Sequence, residues 1–249
     1  MIAPLALIAA LLAVWELYAN SGGVDPLLLP APTEIAQSLW TDRSVLAENA
    51  LVTGGEIVLG LAVALTAGLL IAIALHLSGR LRRASYPLLI ASQAVPIVAV
   101  APLLIAWLGF GLLPKIVIIA LVCFFPVVVT TLDGLQRTDP VQLRMIRSLG
   151  ASRLQVLRRV ELPSALPAAL SGAKVAVTIG AIAAVFAEYA GSDRGLGHLL
   201  MTSGPQLRTN LAWATVFVLA ALALACFVTL SALERRLTPW ASPRKDPPR

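Results

Sequence analysis

The chain has 249 residues, 58% of them apolar and only 13% charged, with a mean hydropathy of +0.86. Soluble domains carry about a quarter charged residues, and disordered chains need low hydrophobicity, so both classes are excluded. Aromatic residues are 6% of the chain, so the apolar surplus is aliphatic. At about 20 residues per helical crossing the length allows about six spans. The composition therefore describes an integral membrane protein, and runs such as Leu61–Leu75 show none of the alternating polarity of strand crossings, so it is read as all-α. The net charge of +6 and pI near 10 would point to nucleic acid in a soluble chain, but here they fit basic loops on one side of a bilayer. No nucleic-acid partner is expected. Cys123 and Cys226 each lie inside an apolar run, which argues against a disulfide or zinc site and for packing.

In chain order, the first apolar stretch is Ile2–Ala19. It lacks a Lys or Arg n-region and ends in Trp15, Glu16 and Tyr18 rather than small residues, so it reads as a retained span, not a cleaved signal. Between Asp25 and Ala50, three prolines precede Thr33, a candidate N-cap, and Ile35, Leu39 and Trp40 follow at helical spacing. This predicts a short amphipathic helix on the outer surface, with Trp40 as an interfacial anchor. Leu51–Leu75, Tyr86–Leu108, Leu113–Leu132, Ala165–Ala187 and Leu211–Leu233 complete six predicted spans. The whole chain, 1–249, reads as one transmembrane domain with core spans over 51–233 and a flexible tail over 234–249.

With six spans and a cytoplasmic N-terminus, the inner loops hold Arg80–Arg83, the arginines of 137–159 and the C-terminal basic residues, 14 in all. Only Arg43, Lys115, Arg194 and Arg208 fall outside. That bias places both termini in the cytoplasm.

The inner segment Asp133–Ser164 is too rich for a plain loop. Asp139 can cap a helix that has Pro140 at its first position. Val141, Met145 and Leu149 then form an apolar stripe, with Arg144 and Arg147 on other faces. Gly150 ends that helix, and Ser152 starts a second one over Arg153–Glu161, after which Pro163 and Pro167 lead into span five. The stripe must be buried, either on the bundle's own inner face or against a soluble partner.

Charges within spans are functional candidates by default. Glu56 can pair with a basic neighbour or face a pathway. Lys174 can snorkel inward or line an inner vestibule. Glu188, at the outer end of span five, is either a gate or interface residue or a solvated helix end. Ser92, Gln93 and Pro96 could line a pathway and offer hydrogen bonds to a solute, or simply mark a packed helix kink.

The stretch Ser148–Pro163, SLGASRLQVLRRVELP, resembles the EAA loop of ABC importer membrane subunits. Gly150, Val160, Leu162 and Pro163 reproduce that motif's spacing, whereas the Glu-Ala-Ala falls on Arg144, Met145 and Ile146 and departs from it. LLLPAPTEI (27–35), APLLIAWLGFGLLPKI (101–116) and AEYAGSDRGLGHLL (187–200) are similar to the branch importing sulfonates, taurine, nitrate and pyrimidine vitamin precursors. HLSGRLRRASYPLL (76–89), CFFPVVVTTLDGL (123–135) and SGAKVAVTIG (171–180) look most like hydroxymethylpyrimidine (thiamine-precursor) permeases, with riboflavin permeases as relatives. The resemblance implies a type I importer permease fold and a homodimer around a central pathway in the cell inner membrane. It also implies an external solute-binding protein and cytoplasmic ATPase subunits docked on Leu143, Arg144, Met145, Arg147, Gly150, Ala151, Ser152, Leu162 and Pro163.

No Gly is followed by Lys anywhere in the chain, so a phosphate-binding P-loop is absent. ATP and Mg²⁺ are expected on the ATPase partner, and this chain is expected to bind no cofactor or metal and to catalyse nothing. A stand-alone secondary transporter is the competing class, but it calls for a midplane acidic pair or an inverted repeat, and neither is evident. An enzyme would need a nucleophile or metal constellation, which is also missing.

Overall fold

The computed structural model describes residues 2–23, 25 and 27–241. Helices α1 (Ile2–Ala19), α2 (Pro32–Thr41), α3 (Arg43–Leu77), α4 (Gly79–Ser92), α5 (Ile97–Leu108) and α6 (Leu112–Gln136) form the first half. Then come α7 (Pro140–Ser148), α8 (Arg153–Val156), a π-helical turn (Leu157–Glu161), α9 (Leu162–Gly191), α10 (Leu196–Ser203) and α11 (Thr209–Leu237). No strand occurs among the described residues.

Small residues set the packing. On α3, Gly60, Ala64, Gly68 and Ala72 recur every four residues and all are buried. That stripe lets α6 approach until a Cβ at Gly60 would stand 2.5 Å from Ile119 Cγ2 and one at Gly68 2.8 Å from Val127 Cγ1. On its other side α6 packs along α9, where Gly172 leaves no room for a Cβ beside the Thr130 hydroxyl. In lipid there is no hydrophobic drive between helices, so close backbone approach and dispersion hold them together. The core is accordingly Ile57, Ala64, Ile119, Cys123, Val127, Ala176 and Ala184. Cys123 is free and donates to Ala176 O at 3.2 Å.

Among the described residues, four helices are long and apolar enough to cross a membrane: α3, α6, the run Arg153–Gly191 and α11. The third predicted span differs from expectation. Residues 86–108 are not one straight helix; α4 and α5 meet at 98°. Pro96 has no amide to donate and disfavours helix at Val95, so the ladder stops after Ser92. The bent pair still completes one crossing. Arg153 reaches Leu77 O, so α3 ends at the arginine-rich end, whereas α6 starts beside Glu56 and Ser192 at the opposite end. The first stretch forms α1 over Ile2–Ala19, 18 residues that are almost all apolar.

Three other expectations need correction. Ala31, not Thr33, is the N-cap of α2; the Thr33 amide and hydroxyl bond Glu16 instead, at 3.1 and 2.7 Å. A carboxylate from α1 thus caps α2 across 17 positions. Next, the helix from Ser152 does not stop at Glu161 before the prolines. Arg153–Gly191 is continuous, because the Leu157–Glu161 turn is π-helical, and the missing Pro163 amide falls on that widened turn. Finally, α11 runs to Leu237 and is followed by a 3₁₀ turn over Pro239–Ala241, so residues 234–241 are ordered helix and turn; 242–249 lie outside the described residues.

Candidate translocation and coupling sites

At the bend between α4 and α5, Ser92, Gln93 and Pro96 come together. With Val95, Ile97, Val100, Leu121, Val122 and Phe124 they line a hollow of about 460 Å³ that has no charged residue in its wall. The Ser92 hydroxyl donates to Leu89 O at 2.7 Å, so hydrogen bonding to a guest falls mainly on the exposed Gln93 amide. No residue of α4 is buried, and Trp107 and Phe110 stand 77% and 83% exposed on the same stretch.

The other two predicted pathway residues lie elsewhere. Lys174 Nζ is 2.6 Å from Glu234 Oε2, tying α9 to α11. Glu188 is not a solvated helix end: it is 1% exposed. Its Oε1 accepts from Thr53 Oγ1 at 2.6 Å, and its Oε2 accepts from the Gly197 amide at 2.5 Å and the His198 amide at 3.2 Å. Glu188 thereby caps α10 from α9. Gly195, at φ +115°, is required there because a Cβ would overlap the Glu188 carboxylate.

Beside it, Lys115 Nζ bonds Glu56 Oε1 at 2.7 Å and Ser192 Oγ at 2.6 Å. Lys115, counted above among the basic residues outside, belongs to the start of α6 and is 7% exposed. Glu56 therefore takes the basic-neighbour alternative. Thr53, Asn49 and Ser192, which bind this end together with Gly195 and Leu196 amides, carry no sequence signal that singles them out.

At the arginine-rich end the capping predictions meet the coordinates directly. Asp139 Oδ1 accepts from the Val141 amide at 2.8 Å, and Pro140 is the first residue of α7. Gly150 takes φ +81°. Ser152 Oγ and Gln155 Oε1 exchange backbone bonds at the start of α8. Val141, Met145 and Leu149 are 60%, 67% and 76% exposed, so the stripe does not fold back onto the bundle's inner face. Leu143, Arg144 and Arg147 share α7 with it; Ala151 and Ser152 form the turn, and Leu162 and Pro163 lie beyond the π-helical turn. His76 pairs with Glu161 at 3.1 Å, a contact across 85 positions that no local pattern signals.

Residues 64–242 match the family described as "Binding-protein-dependent transport system inner membrane component". The chain is 33% identical over 231 residues to the formylaminopyrimidine transport permease protein of Halalkalibacterium halodurans, covering 92% of each. It is 35% identical over 240 residues to the taurine transport system permease protein of Escherichia coli, covering 94% of this chain and 87% of that one. Among solved structures, a chain of the MetNI methionine ABC transporter superposes with a TM-score of 0.71 at 17% identity, covering 80% of this chain and 98% of that chain. This last likeness concerns the fold alone.

Proposed function

Because the chain belongs to the family of inner-membrane components of binding-protein-dependent transport systems, and is thus an ABC importer permease subunit, we propose that its solute is a neutral, hydrogen-bonding pyrimidine of the hydroxymethylpyrimidine (thiamine-precursor) type. The observation that carries this reading is the uncharged hollow at Ser92, Gln93 and Pro96. A ring rich in donors and acceptors suits one amide and apolar walls, whereas a sulfonate or nitrate calls for a positive lining. The similarity to the formylaminopyrimidine permease of Halalkalibacterium halodurans supports the same choice. A sulfonate such as taurine is the second reading, favoured by the Escherichia coli taurine relative; riboflavin and nitrate are more distant options.

In this reading a second copy of the chain covers the exposed α4–α5 face, and the two hollows form one pathway. The arginine-rich end faces the cytoplasm. A separate ATPase subunit, which holds ATP and Mg²⁺, docks on α7, Gly150 and Ser152, burying Val141, Met145 and Leu149. An external binding protein delivers the solute at the opposite end, and the subunit itself performs no chemistry and binds no cofactor.

Growth tests the solute. A thiamine auxotroph supplied only with the pyrimidine precursor is expected to stop growing when this gene is deleted. Undiminished growth on the pyrimidine, combined with lost growth on taurine as sulfur source, would replace the pyrimidine reading with the sulfonate one.

A further inference from the structure

The segment after Gly150 has two faces with different company. Arg153, Leu157 and Glu161 recur every four residues and turn toward the last turns of α3. Arg153 Nη2 donates to Leu77 O at 3.0 Å, satisfying a carbonyl that the end of α3 leaves open. His76 Nε2 meets Glu161 Oε2 at 3.1 Å with both side chains largely buried, 15% and 9% exposed. Leu157, 4% exposed, shares a small core with Leu135 and Ala165, and Ile73 of α3 packs against it. Leu154, Gln155, Arg158 and Arg159 sit on the other face, around an open hollow of about 470 Å³ that also includes Ser152.

One residue, Ser78, then separates Leu77 from α4, and its hydroxyl caps that helix. A displacement of the α8 segment therefore pulls on the end of α3 and, through a one-residue joint, on α4 and the bend that lines the Gln93 hollow. The π-helical turn at Leu157–Glu161 begins beyond Arg153 and ends on Glu161, and an irregular turn can change its bonding with little loss.

We propose that His76, Arg153 and Glu161 are positioning residues that transmit movement of the α7–α8 segment to α3 and α4. The proposal rests on the reading that this segment docks on an ATPase subunit. Attachment by His76–Glu161 needs only a proton on Nε2 of the imidazole, and the Arg153 contact ends on a backbone carbonyl, so neither requires a buried charge without a partner.

The test is solute taken up per ATP hydrolysed, measured on the full importer in proteoliposomes with its ATPase and binding protein. His76→Ala and Glu161→Ala are expected to keep the ATPase bound and hydrolysing while uptake per ATP falls about fivefold or more. His76→Gln, whose amide can still donate to Glu161, is expected to recover most of the ratio. An unchanged ratio in both alanine variants would overturn the proposal. So would hydrolysis, uptake and ATPase retention falling together, which would make these residues mere supports of the docking surface. Gly150→Asp, run alongside, reads the docking premise separately: full transport with the partner retained would overturn that premise.

Discussion

Lys115 Nζ lies 2.7 Å from Glu56 Oε1, joining α6 to α3 at the end of the bundle opposite the arginine-rich one, where both residues are almost wholly buried. Removing one partner leaves a charge without compensation in a dry site, which costs about 3–5 kcal/mol. Lys115→Met is therefore expected to lower the thermal unfolding midpoint in detergent sharply. The double variant Lys115→Met/Glu56→Gln, in which neither member of the pair is charged, should recover much of the loss. Equal stability of wild type and Lys115→Met would show that the pair holds nothing together.

The α3–α6 contact makes a second expectation. A Cβ at Gly60 would sit 2.5 and 2.6 Å from two atoms of Ile119, whereas one at Gly55 would meet nothing within 4 Å. Gly60→Ala should destabilise by about 1–3 kcal/mol through forced separation of the helices. Gly55→Ala should be neutral or slightly stabilising, since alanine is the better helix former by about 1 kcal/mol. Chemical denaturation of both variants checks the contrast, and similar losses at the two sites would contradict it.

Sidedness can be read by labelling. In a background with Cys123 and Cys226 replaced, a cysteine at the exposed Ser152 should react with a membrane-impermeant maleimide only from the cytoplasmic side. A cysteine at the exposed Asp193 should react only from outside. The reverse pattern would invert the orientation.

Much of the arginine-rich end was legible because its signals are local. A cap at Asp139, Pro140 at the first helical position and glycine at the turn determine α7 within a dozen residues, and the structure repeats them. The bend at Pro96 was visible as a proline but not as a 98° corner, since the angle depends on what packs around it. Pro163 misled for the same reason: a proline breaks a regular ladder, but the π-helical turn before it accommodates the missing amide. The burial of Lys115 and Glu188 was out of reach because their partners, Glu56 and Thr53, lie 59 and 135 positions away. The stripe on α7 was legible as apolar, but only the coordinates separate an unpartnered face from one folded back.

Gly150 stands where that stripe ends. Its φ of +81° disfavours any side chain, although a Cβ would meet no atom within 4 Å, so a substitution acts through backbone strain of about 1 kcal/mol and through whatever docks there. Gly150→Asp and Met145→Asp should both leave a folded, membrane-resident protein. Each also places a charge against the apolar stripe, and co-purification of the ATPase subunit should be lost or transport abolished.

Reconstitution tests the central claim most directly. Proteoliposomes carrying this chain with its ATPase subunit and binding protein should accumulate solute only when ATP is supplied to the nucleotide-binding side. Accumulation driven by an ion gradient, with this chain alone and no ATPase present, would contradict the account.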